Sequence, residues 1–374
     1  MAEVPVNGRV LKWARLIRGL SLQDAASLLG VTTDELEDYE LRNKKPLIGF
    51  LRRMSDKYQI NFTSLLMPEP LPKRNRPADH RERHGKRPLS IDTLVAIEEI
   101  TEALDTFDDI ATEVRQVVPA LSIGTARISD DPSAIAARER KRFGVPIEEQ
   151  HAWRDTSEAR RRWREVIEKH GIFTYMIPMP ITELSGFSIL RNNLAAICVN
   201  DLEATEGAKI FTLFHEYCHL LLRRTGISDQ NNHNRVERFC NKFAASFLIP
   251  FHSLTYAIGE IKTPYEFSDA DIKRLATRFR VSNSAIALRL EETGLASKGF
   301  YERRTAPWDI PKAPRPIKPG QKLSPIRTRI KRSGRLHMST TLEALRRRAI
   351  NSFDASQLIG LGPGSFVKIE ARIG

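Results

Sequence analysis

Residues 206–226 read EGAKIFTLFHEYCHLLLRRTG, and the fold of the chain turns on this stretch. Phe211, Leu213, Phe214, Leu220, Leu221 and Leu222 make it apolar on most sides, and Arg223, Arg224 and Gly226 end it, so it reads as a buried helix. Inside it, His215-Glu216-Tyr217-Cys218-His219 satisfies HExxH. On a helix, positions i and i+4 share a face, so both imidazoles can reach one divalent ion at about 2.0–2.1 Å. Glu216 is rotated about 100° from His215 and can hydrogen-bond water held by the ion rather than the ion itself. Two histidines and a glutamate are costly to bury without a metal or other partners. The motif therefore predicts a zinc site in which Glu216 is the general base of a hydrolytic reaction.

A catalytic zinc usually takes three protein ligands and keeps one open position. The next helical stretch, RVERFCNKFAASFLIP (235–250), repeats Glu237, Cys240, Phe243 or Ala244, and Phe247 on one face, which makes Glu237 the expected third ligand. His233 and Cys240 are rivals, His233 within the polar run SDQNNHN and Cys240 as a small core residue. Cys218 turns away from the two histidines and is expected in the core. Before the motif, IFTYMI, GFSIL and AAICVN are β-branched and aromatic runs separated by Pro, Gly and Asn, which predict a small sheet. Helices are expected upstream in SAIAARERKRFG and SEARRRWREVIEKHG, and downstream in DADIKRLATRFRVSNSAIALRLEETGL, where Val281-Ser282 makes a turn.

Towards the N-terminus, residues 8–68 read as short helices. Ser21 is an expected cap, Gly30 an expected turn, and Thr32 or Thr33 caps the next helix, whose Leu36 and Tyr39 face inward. This is the helix-turn-helix plan. Residues 69–90 combine prolines with dense charge and predict a linker. From 91 to 118, Ile97, Ile100, Leu104, Phe107, Ala111, Val114 and Val118 form one seam on a long helix, suited to packing in its own domain or to a homodimer. Residues 300–335 are Pro- and Arg-rich and expected to be extended. TLEALRRRAI and DASQLIGL predict two short helices in a small C-terminal unit at 336–374.

The formal charge of +13 is concentrated. Residues 71–90 and 301–348 together carry +16, so the remainder is slightly acidic. Such basic segments attract nucleic acid or acidic proteins through non-specific Coulomb forces. Three cysteines, Cys198, Cys218 and Cys240, do not make a disulfide framework. With no apolar run of spanning length and no secretory pattern at the start, a cytoplasmic protein with no membrane contact is expected.

Two families resemble parts of this sequence. GLSLQDAASLLGVT, YELRNKKP and FLRRMSDKYQINFTSLL make residues 8–68 similar to the XRE/Cro family of repressor DNA-binding domains, which implies operator contacts from Gln23, Thr32 and Thr33. Asp34, Glu35, Glu37, Asp38 and Glu40 depart from that use, because a phosphate-lined groove repels carboxylates. KIFTLFHEYCHLLL, with AAICVN before it and VERFCNKFAASFLIP after it, resembles the ImmA/IrrE family of metallo-endopeptidases over roughly residues 125–295. That resemblance implies a gluzincin-like zinc site of His215, His219 and Glu237 with Glu216 catalytic. It also implies a protein substrate, a cognate helix-turn-helix repressor, whose cleavage controls transcription. The expected fold class is thus multidomain α+β: an all-α helix-turn-helix domain (8–68), a linker (69–90), a long helix (91–118), a zincin-like domain (120–295) with its sheet and HExxH helix, and a helical C-terminal region. The alternative is a transcriptional regulator or antitoxin-like binding protein whose zincin domain senses or scaffolds without cutting.

Overall fold

The computed structural model describes residues 3–41, 44–71, 89–114, 116–223, 230–259, 267–305 and 324–373, and the side chains of 230–233 lie outside this description. The chain divides into two compact units, Met1–Glu99 and Ile100–Gly374. The division falls inside a helix; most of the expected linker, 72–88, lies outside the described residues.

The first unit contains α1 (Gly8–Leu16), α2 (Leu22–Leu29), α3 (Thr33–Leu41), α4 (Ile48–Tyr58), α5 (Phe62–Leu65) and the start of α6 (Ile91–Glu113). Ser21 Oγ accepts the Asp24 N–H and caps α2, and Gly30 closes it with φ 67° and ψ 41°, a left-handed conformation that favours glycine. Thr32 Oγ1 accepts the Glu35 N–H at the start of α3. Leu11, Ala14, Ala25, Leu29, Leu36, Leu51 and Met54 pack the core. Leu11 and Ala14 turn the inner face of α1 into this core, which leaves Leu16 53 % exposed. A buried ion pair joins α1 to α3, with Arg15 Nε and Nη2 each donating to Glu40 at 2.8 Å.

The second unit continues α6 and then forms α7 (Pro132–Phe143), α8 (Ile147–Ala152), α9 (Thr156–Lys169), β1 (Ile172–Ile177), β2 (Gly186–Arg191), β3 (Leu194–Asn200) and α10 (Glu206–Leu221). It goes on through α11 (Gln230–Leu248), α12 (Phe251–Gly259), α13 (Asp269–Phe279), α14 (Asn283–Glu292), α15 (Phe300–Thr305), α16 (Pro325–Arg346), α17 (Ser352–Ile359) and α18 (Phe366–Ile373). Helix predominates and the sheet has three strands in the order β1-β3-β2, an α+β arrangement. β3 lies parallel to β1 (Ile172 opposite Ala195) and antiparallel to β2 (Ser188 opposite Ile197), to which the Asn192-Asn193 turn joins it.

Alternation along the strands sends side chains to two faces. Ala195, Ile197 and Val199 enter the core that holds Phe214, Tyr217, Phe243 and Phe247 of α10 and α11. On the other face, Phe173 stacks on Phe107 of α6 at 4.8 Å, and Tyr175 donates its hydroxyl hydrogen to Nδ1 of His337 in α16 at 2.9 Å. The α6 seam at Ile100, Leu104 and Phe107 is thereby buried inside the chain, and the helix stops at Glu113, short of Pro119.

The C-terminal region corrects two expectations. Residues 300–305 and 325–335 are helical rather than extended; 306–323 lie outside the described residues. TLEALR is the end of the long α16, not a separate short helix. Arg and Lys favour helix, and α16 gains a buried face by packing on β1 instead of standing as a separate unit. Gly334 breaks α16 with φ 79° and ψ 168°, and the buried Glu168 carboxylate accepts the freed N–H groups of Arg335 (3.1 Å) and Leu336 (3.2 Å).

Candidate metal centre

α10 starts where Thr205 Oγ1 accepts the Ala208 N–H, and it crosses β2 and β3 with almost every residue buried. The close approach depends on Gly186: a Cβ there would lie 2.6 Å from Thr212 Cγ2, 2.7 Å from the Cys198 carbonyl oxygen and 3.3 Å from Glu216 Cγ. Strand alternation points Ser188 at the same helix, and its hydroxyl donates to Glu216 Oε2 at 3.0 Å.

α11 packs beside α10 and offers Glu237, Cys240 and Asn241 to the histidine pair. His215 Nε2 lies 3.1 Å from His219 Nε2 and 3.1 Å from Glu237 Oε2; His219 Nε2 lies 3.3 Å from Glu237 Oε1. The other nitrogen of His215, Nδ1, lies 2.9 Å from Asn241 Oδ1. Since an amide oxygen only accepts, Nδ1 carries the hydrogen and Nε2 turns its lone pair towards the other two groups. Cys240 hydrogen-bonds His219, and Cys218 in turn contacts Cys240, so Cys240 is a core residue that also touches the site.

Two overlapping triads share the histidines. His215, Glu216 and His219 bring one donor atom each within 4.8 Å of the others. The triad with Glu237 is tighter, and Glu216 is engaged by Ser188 on the sheet side. A tetrahedral ion with bonds of about 2.0–2.1 Å spaces its donors by about 3.3–3.4 Å. The two Nε2 atoms lie 3.1 Å apart, with one Glu237 oxygen 3.1 Å from His215 and the other 3.3 Å from His219, near that spacing, and two imidazoles facing each other through Nε2 cannot both be satisfied as neutral acceptors without a cation or proton between them. In the metal-free state the proton fills that role. Burial opposes charge on His219, but Cys240 and the carboxylates of Glu237 and Glu216 outweigh it and push its pKa up to about 10. Burial pushes the Cys240 thiol well above its ordinary value, and the neighbouring His219 opposes that shift.

Residues 167–291 match the family model of the IrrE N-terminal-like domain, Peptidase_M78. The match runs from the last residues of α9 through nearly all of α14, with the sheet and every group of the site, and supports a metallopeptidase-type activity. A comparison with curated proteins found no match.

Of the other expected site residues, Gln23, Thr32 and Thr33 are exposed on the first unit, with Thr32 Oγ1 occupied as the cap of α3. His233 falls in α11, but its side chain lies outside the described residues. Ser188 and Asn241 were not legible as site residues. Ser188 is the polar interruption of the apolar strand GFSIL, and Asn241 stands one helical turn after Glu237; these are the signals that would have marked them. Tyr217, inside the motif, faces away from the histidines and donates to the buried Glu139 at 2.9 Å, tying α10 to α7. Among the described residues no helix is long and apolar enough to cross a membrane.

Proposed function

We propose that the chain is a zinc-dependent endopeptidase that cleaves a cognate helix-turn-helix repressor or another regulatory protein and so controls transcription. The observation that carries this reading is the 3.1–3.3 Å spacing of His215 Nε2, His219 Nε2 and the Glu237 carboxylate, with Glu216 close to both histidines and held by Ser188. His215, His219 and Glu237 would hold the ion. A bound zinc supplies Lewis acidity, acidifying water and polarising a peptide carbonyl. Glu216 takes the proton of the attacking water and returns it to the leaving amine, and Ser188 fixes the orientation of its carboxylate through Oε2. Asn241 keeps His215 in the tautomer that binds through Nε2. α1–α5, with the XRE-like plan, would serve to meet the operator or the regulatory partner, with Gln23, Thr32 and Thr33 at its exposed edge.

The test compares the intact regulatory proteins of cells containing the wild-type chain or Glu216→Gln by mass spectrometry. A protein cut only in the presence of the wild type, while Glu216→Gln still carries one zinc per chain, is the expected result. Identical fragment patterns with both chains would refute proteolysis and favour a binding role.

A further inference from the structure

α17 and α18 repeat the local plan of α2 and α3. In each pair a helix of eight residues starts at a side-chain cap, Ser21 or Asn351, and ends at a left-handed glycine, Gly30 (φ 67°, ψ 41°) or Gly360 (φ 70°, ψ 27°). Each first helix buries residues one turn apart, Ala25 with Leu29 and Ala355 with Ile359. A second helix of similar length follows, after a short connection in one pair and a 3-10 turn at Pro363–Ser365 in the other. Met338 and Leu342 of α16 with Ile359 and Ile369 form a separate small core beneath the second pair.

The two second helices differ in charge. α3 carries Asp34, Glu35, Glu37, Asp38 and Glu40 and no Lys or Arg. Glu40 is withdrawn into the ion pair with Arg15, and Glu35 accepts from the Tyr39 hydroxyl, but the remaining surface is still acidic. Residues 324–373, by contrast, hold ten Lys and Arg against Glu343, Asp354 and Glu370. Two of those carboxylates are already engaged, Glu343 with Arg346 and Arg347 and Glu370 with Arg346. α18 turns Phe366, Ile369 and Ile373 inward. Its outer face therefore presents Val367, Lys368, Ala371 and Arg372, all exposed, with Lys368 and Arg372 one helical turn apart and with no carboxylate partner among the described residues. Arginines of α16 border the same pair: Arg329 lies against Gly360, and Arg335 donates to the Ile373 carbonyl at 3.2 Å.

We propose that α16–α18 form a second helix-turn-helix that binds duplex DNA, with α18 as the helix presented to the groove and Lys368 and Arg372 contacting phosphates. Charge complementarity selects the occupant, since a duplex offers phosphates spaced along a groove that admits one helix, and the small Val367 and Ala371 leave room for its walls. The basic unit supplies the attraction that the acidic α3 cannot. This inference does not depend on the metal site.

The test uses the full chain and a labelled duplex of roughly 30 base pairs, with binding read by fluorescence anisotropy over a salt series. Lys368→Gln/Arg372→Gln should bind about tenfold or more weakly at moderate salt, and the slope of log affinity on log salt should fall by about 1.8, the value for two lost phosphate contacts. Lys368→Arg/Arg372→Lys should bind as the wild type, and Gln23→Ala/Thr33→Ala, which removes no charge, should keep the wild-type salt slope. Zinc content and thermal midpoint should not change, since Lys368 and Arg372 are exposed. The proposal is overturned if the charge-removing variant binds the duplex like the wild type, if the N-terminal variant alone abolishes binding, or if single-stranded RNA of equal length binds more tightly than the duplex.

Discussion

Replacing Asn241 by alanine tests the site through a residue that would touch neither metal nor substrate. Its Oδ1 lies 2.9 Å from His215 Nδ1 and holds the hydrogen there, which leaves Nε2 as the ligand atom. When Nε2 donates its lone pair to a cation the ring becomes partly positive, so the bond from Nδ1 is charge-assisted and worth about 1.5–3 kcal/mol. Asn241 is only half-buried, and water can replace part of that bond in the variant. The net loss should therefore fall slightly below that range, at about 1.4–2.7 kcal/mol, or roughly 10–100-fold in zinc affinity. Competition with a chromogenic chelator at fixed pH measures this directly. Asn241→Asp, which keeps an acceptor and adds charge, should recover wild-type affinity or exceed it. If Asn241→Ala takes up zinc as tightly as the wild type, the argument that this amide sets the His215 tautomer is wrong. Loss of affinity together with a collapsed thermal midpoint would instead mean that Asn241 only supports the packing of α11.

Ser188→Ala should leave zinc content unchanged and lower kcat about tenfold with little change in KM, because only the orientation of Glu216 is relaxed; a purely raised KM would contradict this role. Metal uptake should strengthen as pH rises, with proton release, because His219 must give up the proton that its neighbours hold to about pH 10. The same shift stabilises the metal-free chain fully below about pH 6.5, and this contribution declines as pH rises from there through about 10, so the apo thermal midpoint should fall over that window; a midpoint that rises there would refute the sign. Gly334→Ala forces a side chain into a conformation near φ 79° and places Cβ 2.3 Å from Glu168 Oε1 and 2.7 Å from the Thr174 carbonyl oxygen. It should cost about 1–3 kcal/mol in chemical denaturation of the second unit, and a neutral result would show that the break in α16 is not needed for docking on β1.

The order of elements around the site and the histidine pair were determined locally, and for that reason were readable. HExxH on one helix needs only the 3.6-residue period to bring His215 and His219 together, and the three strand runs show their period directly. Glu237 could be nominated because α11 has a recurrent buried face, but its distance from the histidines depends on how two helices pack. Ser188, Asn241 and Cys240 reach the site across 28, 26 and 21 positions, respectively, and local sequence marks such residues without showing which partners they meet. The charge of residues 301–348 is plain in the sequence, yet its Pro- and Arg-rich part, 300–335, is expected to be extended, since density of Arg and Lys does not distinguish a solvated coil from a helix that finds a surface to cover. Sequence by itself determined which residues could bind one ion and which segments around them would be helix or strand, because both follow from periodicity along the backbone. Only the tertiary structure decided that Glu237 stands 3.1–3.3 Å from the histidine pair, that Ser188 meets Glu216, and that α16 lies on the sheet, because these depend on packing between segments far apart in the chain.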